Sequence, residues 1–100
     1  MTIEKAIQDY EGSYLLGEAD GQSWANHAVA NDVRSMATIK NHELGRPGPS
    51  GKNAGGWLVQ KAQKYQKRDE RFLTNAYFDG FLNAVRKVRN QQAFAVVARN

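Results

Sequence analysis

A chain of 100 residues with 41% apolar and 10% aromatic side chains has room for one hydrophobic core, and its composition excludes a disordered chain. It contains no cysteine, which excludes disulfides and thiolate metal sites. The acids Glu4, Asp9 and Glu11 interrupt the N-terminal stretch that a signal peptide would need apolar, no run approaches the ~18 apolar residues of a membrane span, and the net charge is +4, so a soluble, cytoplasmic, basic single domain over 1–100 is expected.

Thr2 is a candidate N-cap, after which Ile3, Ala6, Ile7, Tyr10 and Tyr14 recur at helical spacing. Gly12 and Gly17 each cost roughly 1 kcal/mol against alanine inside a helix, and Asp20-Gly21 is a turn signal, so this first helix is expected to end between 17 and 22. A second helix is expected from about Ser23, with Ala25, Val29, Val33, Met36 and Leu44 on its apolar face. It should stop near Leu44, because Gly45 suits the left-handed residue after a helix and Pro47 lies two residues further on.

Residues 45–56, GRPGPSGKNAGG, hold five glycines and both prolines and read as a long loop, either a mobile tip or a segment ordered by a partner. A third helix from about Trp57 places Trp57, Leu58, Ala62 and Tyr65 on one face, with a break or kink near 68–70 where Asp69 can cap the next helix. In the fourth helix Phe72, Leu73, Ala76, Tyr77, Gly80, Phe81, Ala84, Val85 and Val88 fall in adjacent pairs every four residues, the pattern of a central core helix. Gly80 lies on that stripe, where close approach of another backbone would offset its low helix propensity. The tail QQAFAVVARN either continues the helix or forms a short strand. The expected fold is therefore all-α, a small bundle of about four helices with a long Gly/Pro loop at 45–56.

Motifs for catalysis fail on spacing. Gly51-Lys52 suggests a phosphate-binding loop, but Gly45 and Gly51 are separated by five residues instead of four and Asn53 stands where Ser or Thr is needed. His27 and His42 would lie about 22 Å apart on one helix, too far to share a metal. The serines Ser13, Ser23, Ser35 and Ser50 have no local signature of a nucleophile, and the acids Glu18, Asp20, Asp32 and Glu43 show no spacing of a catalytic pair. No enzyme activity, cofactor or metal is expected.

Charge is the functional signal. Seven acids face three cations up to residue 45, whereas eleven cations beyond it face only Asp69, Glu70 and Asp79. Lys61, Lys64, Arg68 and Arg71 keep i, i+3, i+7, i+10 spacing with Lys67 beside them, and Arg86, Lys87 and Arg89 come later, so two positive patches on neighbouring helices are expected to bind a partner. Helix solubility is the competing reading. Phe78 and Leu82, one turn apart and displaced from the main stripe, are either buried on a second side of the helix or form a self-association surface, with a homodimer as its consequence.

The aromatic-then-basic segment NAYFDGFLNAVRKVRNQQ, in a short cysteine-free chain with few acids in its second half, resembles small accessory proteins of bacteriophages and mobile elements, among them the anti-CRISPR proteins. The resemblance covers size and texture over the whole chain and carries over no individual residue. It implies a non-catalytic inhibitor or modulator that docks on a host protein or ribonucleoprotein complex, at the surface that receives nucleic acid. The basic patch departs from the acidic, DNA-mimicking members. Direct DNA or RNA binding through the basic helical face is the alternative, and a structural component of a phage or element is a third.

Overall fold

The computed structural model describes residues 10–46 and 55–99, with 93–99 as backbone alone. The described residues form four α-helices, α1 (Tyr10–His27), α2 (Ala30–Ala37), α3 (Gly56–Arg68) and α4 (Thr74–Arg99), with a 3-10 turn at Asn41–Glu43 and no strand. The protein is a small all-α bundle. Thr2, Ile3, Ala6, Ile7 and the loop residues 47–54, with Lys52 and Asn53, lie outside the described residues.

The expected end of the first helix between 17 and 22 is overturned: α1 runs unbroken through Gly17, Asp20 and Gly21. Ser13, Gly17, Gly21 and Ala25 stand four residues apart, so they form one narrow stripe, and all four are buried. The stripe lies directly on α4. A Cβ on Gly17 would come within 2.1 Å of the Tyr77 carbonyl oxygen, one on Gly21 within 2.5 Å of that of Phe81, and one on Gly80 within 2.0 Å of that of Tyr14. At these positions the absence of a side chain is a steric requirement, and the close backbone contact outweighs the helix propensity that glycine lacks. The Ser13 hydroxyl accepts from the Leu73 amide at 3.2 Å, just ahead of α4. Contacts thus step from 13–73 to 17–77 to 21–81, so α1 and α4 run parallel.

The second helix is also shorter than expected. The chain leaves helical geometry at Val29, which is exposed, and α2 ends at Ala37 instead of reaching Leu44. Val33, Met36 and Ala37 are its buried face. Gly45 does take the left-handed conformation expected of it, with φ at 80°, but it comes after the 3-10 turn. Arg86 of α4 donates to the carbonyls of Ala37 and Ile39 at 3.2 and 2.8 Å. A cation there satisfies carbonyls that the end of α2 leaves open.

α3 starts one residue before Trp57 and stops at Arg68, at the expected break, with Asp69 closing it instead of starting a new helix. Leu58 and Ala62 are buried, and Tyr65 packs against Phe72 and Tyr77 with ring centroids 5.3 and 5.4 Å apart. α4 is continuous through the tail, which extends it as helix. Its stripe of Ala76, Tyr77, Phe81, Ala84, Val85 and Val88 is buried, as the paired spacing predicts, whereas Phe72 and Leu73 precede the helix and Leu73, expected on the same stripe, is 43% exposed. Leu82 is fully buried as well, and Phe78 is half-buried beside the Tyr77 ring. That corrects the reading of Phe78 and Leu82 as an exposed self-association surface: α4 is covered on two sides.

Two stability measurements check this packing. Gly80→Ala is expected to lower stability by roughly 1–3 kcal/mol or more, because overpacking against the Tyr14 backbone exceeds the ~1 kcal/mol gain in helix propensity. An unchanged or raised urea midpoint would contradict the close contact. Phe81→Ala should cost roughly 3–5 kcal/mol, as a fully buried ring leaves a cavity.

Candidate functional site

The cations expected to act together are sorted by their partners. Arg86 is committed to the carbonyls of Ala37, the last residue of α2, and of Ile39 beyond it, and Lys87 lies 3.7 Å from the Glu18 carboxylate of α1. Arg89 donates to its neighbour Asn90. Of the expected second patch at Arg86, Lys87 and Arg89, Arg86 is taken up within the bundle, whereas Lys87 stays exposed beside Glu18.

Arg71 belongs to the connection between α3 and α4. Its guanidinium donates to both Asp69 oxygens at 3.0 and 3.1 Å, and its amide donates to the same carboxylate. The guanidinium hydrogen bonds, with the amide, hold the Asp69 carboxyl below its ordinary pKa. Arg71 thus fixes the turn more than it offers charge.

The remaining cluster lies on α3. Every exposed position from 60 to 68 is Gln, Lys or Arg: Gln60, Lys61, Gln63, Lys64, Gln66, Lys67 and Arg68. Lys61 lies 3.8 Å from Asp20, whereas among the described residues no carboxylate stands within ion-pair distance of Lys64, Lys67 or Arg68. Lys61, Lys64 and Arg68, with Trp57, Gln60 and Tyr65, line an open groove of about 640 Å³. Lys67 is exposed on the same helix outside this lining.

Two aromatic residues of the groove read from the sequence only as core. Tyr65 is half-buried, while Trp57 is 42% exposed, with its ring 5.4 Å from Trp24 and edge-on to Phe81 at 5.6 Å. The usable signal is the spacing of Trp57, Lys61 and Tyr65, which puts aromatic and cation on one face one turn apart.

Asp20 sets the height of α3 over the bundle. One oxygen, Oδ2, accepts from the Tyr77 hydroxyl at 2.7 Å and the Tyr65 hydroxyl at 2.9 Å, and is the oxygen nearest Lys61. No local pattern announces this node, since its members lie on three helices. Burial first, then the hydrogen bond to Asp20, pushes the Tyr65 hydroxyl up from 10.0 to about 12, and the same causes raise Tyr77 further.

His27 Nδ1 donates to the Ser23 carbonyl at 2.7 Å near the end of α1, and His42 is exposed beside Glu43. Among the described residues no group of three or more His, Cys, Asp or Glu is placed to hold a metal ion, and no helix is long and apolar enough to cross a membrane. No protein-family model, curated protein or solved structure matches the chain.

The Asp20 node has two measurable consequences. Asp20→Ala leaves the Tyr77 hydroxyl without its acceptor and should destabilise the fold by roughly 1–3 kcal/mol in chemical denaturation. The folded chain also holds the Tyr65 proton more tightly than the unfolded chain does. Stability from this source is complete below pH 10.0 and is lost as pH rises through about 12. Tyr65→Phe should flatten the fall in unfolding midpoint over that range, and an identical profile would place the effect elsewhere.

Proposed function

We propose that this protein is a non-catalytic binding protein of the phage inhibitor or modulator type, acting in the manner of anti-CRISPR proteins. It docks the basic face of α3 on a host nucleic-acid-processing complex and blocks or alters that complex by occupancy, without chemistry. The observation that carries this reading is the row Lys64, Lys67 and Arg68, unpaired among the described residues on a helix whose exposed positions from 60 to 68 hold no acid. A helix kept soluble by its charges ordinarily mixes both signs. Here Asp20 and Asp69 are each held by internal partners, and the exposed Glu70 lies beyond the end of α3.

A second reading, an accessory protein that binds DNA or RNA on its own, is favoured by the exposed Trp57 beside the cations. Both readings place the work on the same face and differ in what is captured.

Affinity capture from a bacterial lysate, with and without nuclease, tests the reading. The expected result is a nucleic-acid-processing complex retained by the native chain and lost with the double variant Lys64→Glu, Arg68→Glu. The variant should keep its helical spectrum and its stability to within ~0.5 kcal/mol, since both positions are exposed. Capture that ignores the reversal would remove α3 as the working surface.

A further inference from the structure

We propose that the groove on α3 takes a single-stranded nucleic acid, stacking one base on Trp57 and holding the adjoining phosphates with Lys64 and Arg68. The proposal rests on α3 being the working face and names what that face touches within its complex.

Trp57 is the first ground. Its ring is held from behind by Trp24 and Phe81, so its orientation is fixed while 42% of the residue stays in water. A rigid, exposed indole is a stacking platform, and every base offers it a π face once unstacked. In a duplex those faces are covered by neighbouring base pairs, which leaves the platform without a partner.

Spacing is the second. Trp57, Lys61, Lys64 and Arg68 stand at i, i+4, i+7 and i+11 along α3, a row about 16 Å long at 1.5 Å per residue. At ~3.4 Å or more per nucleotide, that length takes a few nucleotides of one strand.

The third ground is the lining. Trp57, Gln60, Lys61, Lys64, Tyr65 and Arg68 include no carboxylate. Asp20 is occupied by two tyrosine hydroxyls and faces Lys61, and Asp69, next to Arg68, is held by Arg71. Gln60 adds an uncharged amide that both donates and accepts, suited to a base edge. An acidic protein surface would satisfy Lys64 and Arg68 equally well, but in a single strand every phosphate comes with a base whose π face can stack on the indole.

Fluorescence anisotropy with the full chain and a labelled oligothymidylate, as single strand and as duplex with its complement, tests the proposal. The single strand should bind more tightly than the duplex at the same salt, with log affinity falling against log salt by about 0.7 per phosphate contacted. Replacing Lys64 and Arg68 together by Gln should reduce that slope by about 1.4. Trp57→Ala should weaken binding roughly 5- to 150-fold, and Trp57→Phe should recover much of it by restoring a ring. Thermal unfolding of each variant guards against misreading, and should Trp57→Ala fail to fold, Trp57→Phe and the exposed Lys64 and Arg68 pair carry the test.

A duplex bound as tightly as the strand, or a slope indifferent to Lys64 and Arg68, would overturn the proposal. Absence of strand binding at low salt would overturn it too. If in that case capture from lysate survives nuclease and still requires Lys64 and Arg68, the ligand is an acidic protein and the face stands; if capture does not require them, the face falls as well.

Discussion

The contact between α1 and α4 is made backbone to backbone at three places, and the rest of the molecule is arranged around the distance this sets. Gly17 and Gly21 lie against the Tyr77 and Phe81 carbonyls, and Gly80 lies against that of Tyr14. With no side chain spacing the helices, Asp20 of α1 comes within hydrogen-bond reach of the buried Tyr77 of α4. The same carboxylate oxygen then reaches Tyr65 and faces Lys61, which fixes α3 across the pair. The aromatic rings of Tyr65, Phe72 and Tyr77 fill the space beneath. The position of the basic face therefore depends on Gly17, Gly21 and Gly80, none of which lines the groove.

How much of this can be read from the sequence varies by element, for physical reasons. α4 is legible because paired apolar residues every four positions fit only a helix buried broadly. α1 is misread because the same glycines that lower helix propensity are the ones the packing demands; propensity is local, whereas the compensation comes from Tyr77, Phe81 and Tyr14 across the interface. Their four-residue spacing with Ser13 and Ala25 is the pattern that marks a stripe instead of a break. The interruption at Val29 carries no glycine or proline, so nothing local announces it. Gly80 goes the other way: its place on an apolar stripe already implies the close approach that is observed.

The basic residues show the same division. Their density in the second half is visible in the sequence, but their partners are not, because Lys61 meets Asp20, Lys87 meets Glu18 and Arg86 meets the end of α2, all across long separations. Two acids of the first half, Glu18 and Asp20, thus meet cations of the second, which neutralises charge unevenly. Among the described residues, Lys64, Lys67 and Arg68 stand together on α3 with no acid within ion-pair distance. A cluster that looks like eight equivalent cations in one dimension becomes a short row with a tryptophan at one end.

The parallel packing of α1 on α4 also governs how the chain acquires its structure. Each contact along the stripe joins residues about 60 positions apart, as Ser13 and Leu73 are, so the principal interface is a long-range one. Small helical proteins usually fold quickly because their contacts are local, and folding slows as the mean separation of contacting residues grows. Loop closure over this span must precede any gain from the glycine contact. During synthesis α1 emerges before α4, on which its glycine stripe packs, with α2 and α3 in between. α4 then completes the bundle, and the basic face on α3 gains the support of Tyr77 and Phe81 only once that helix is made.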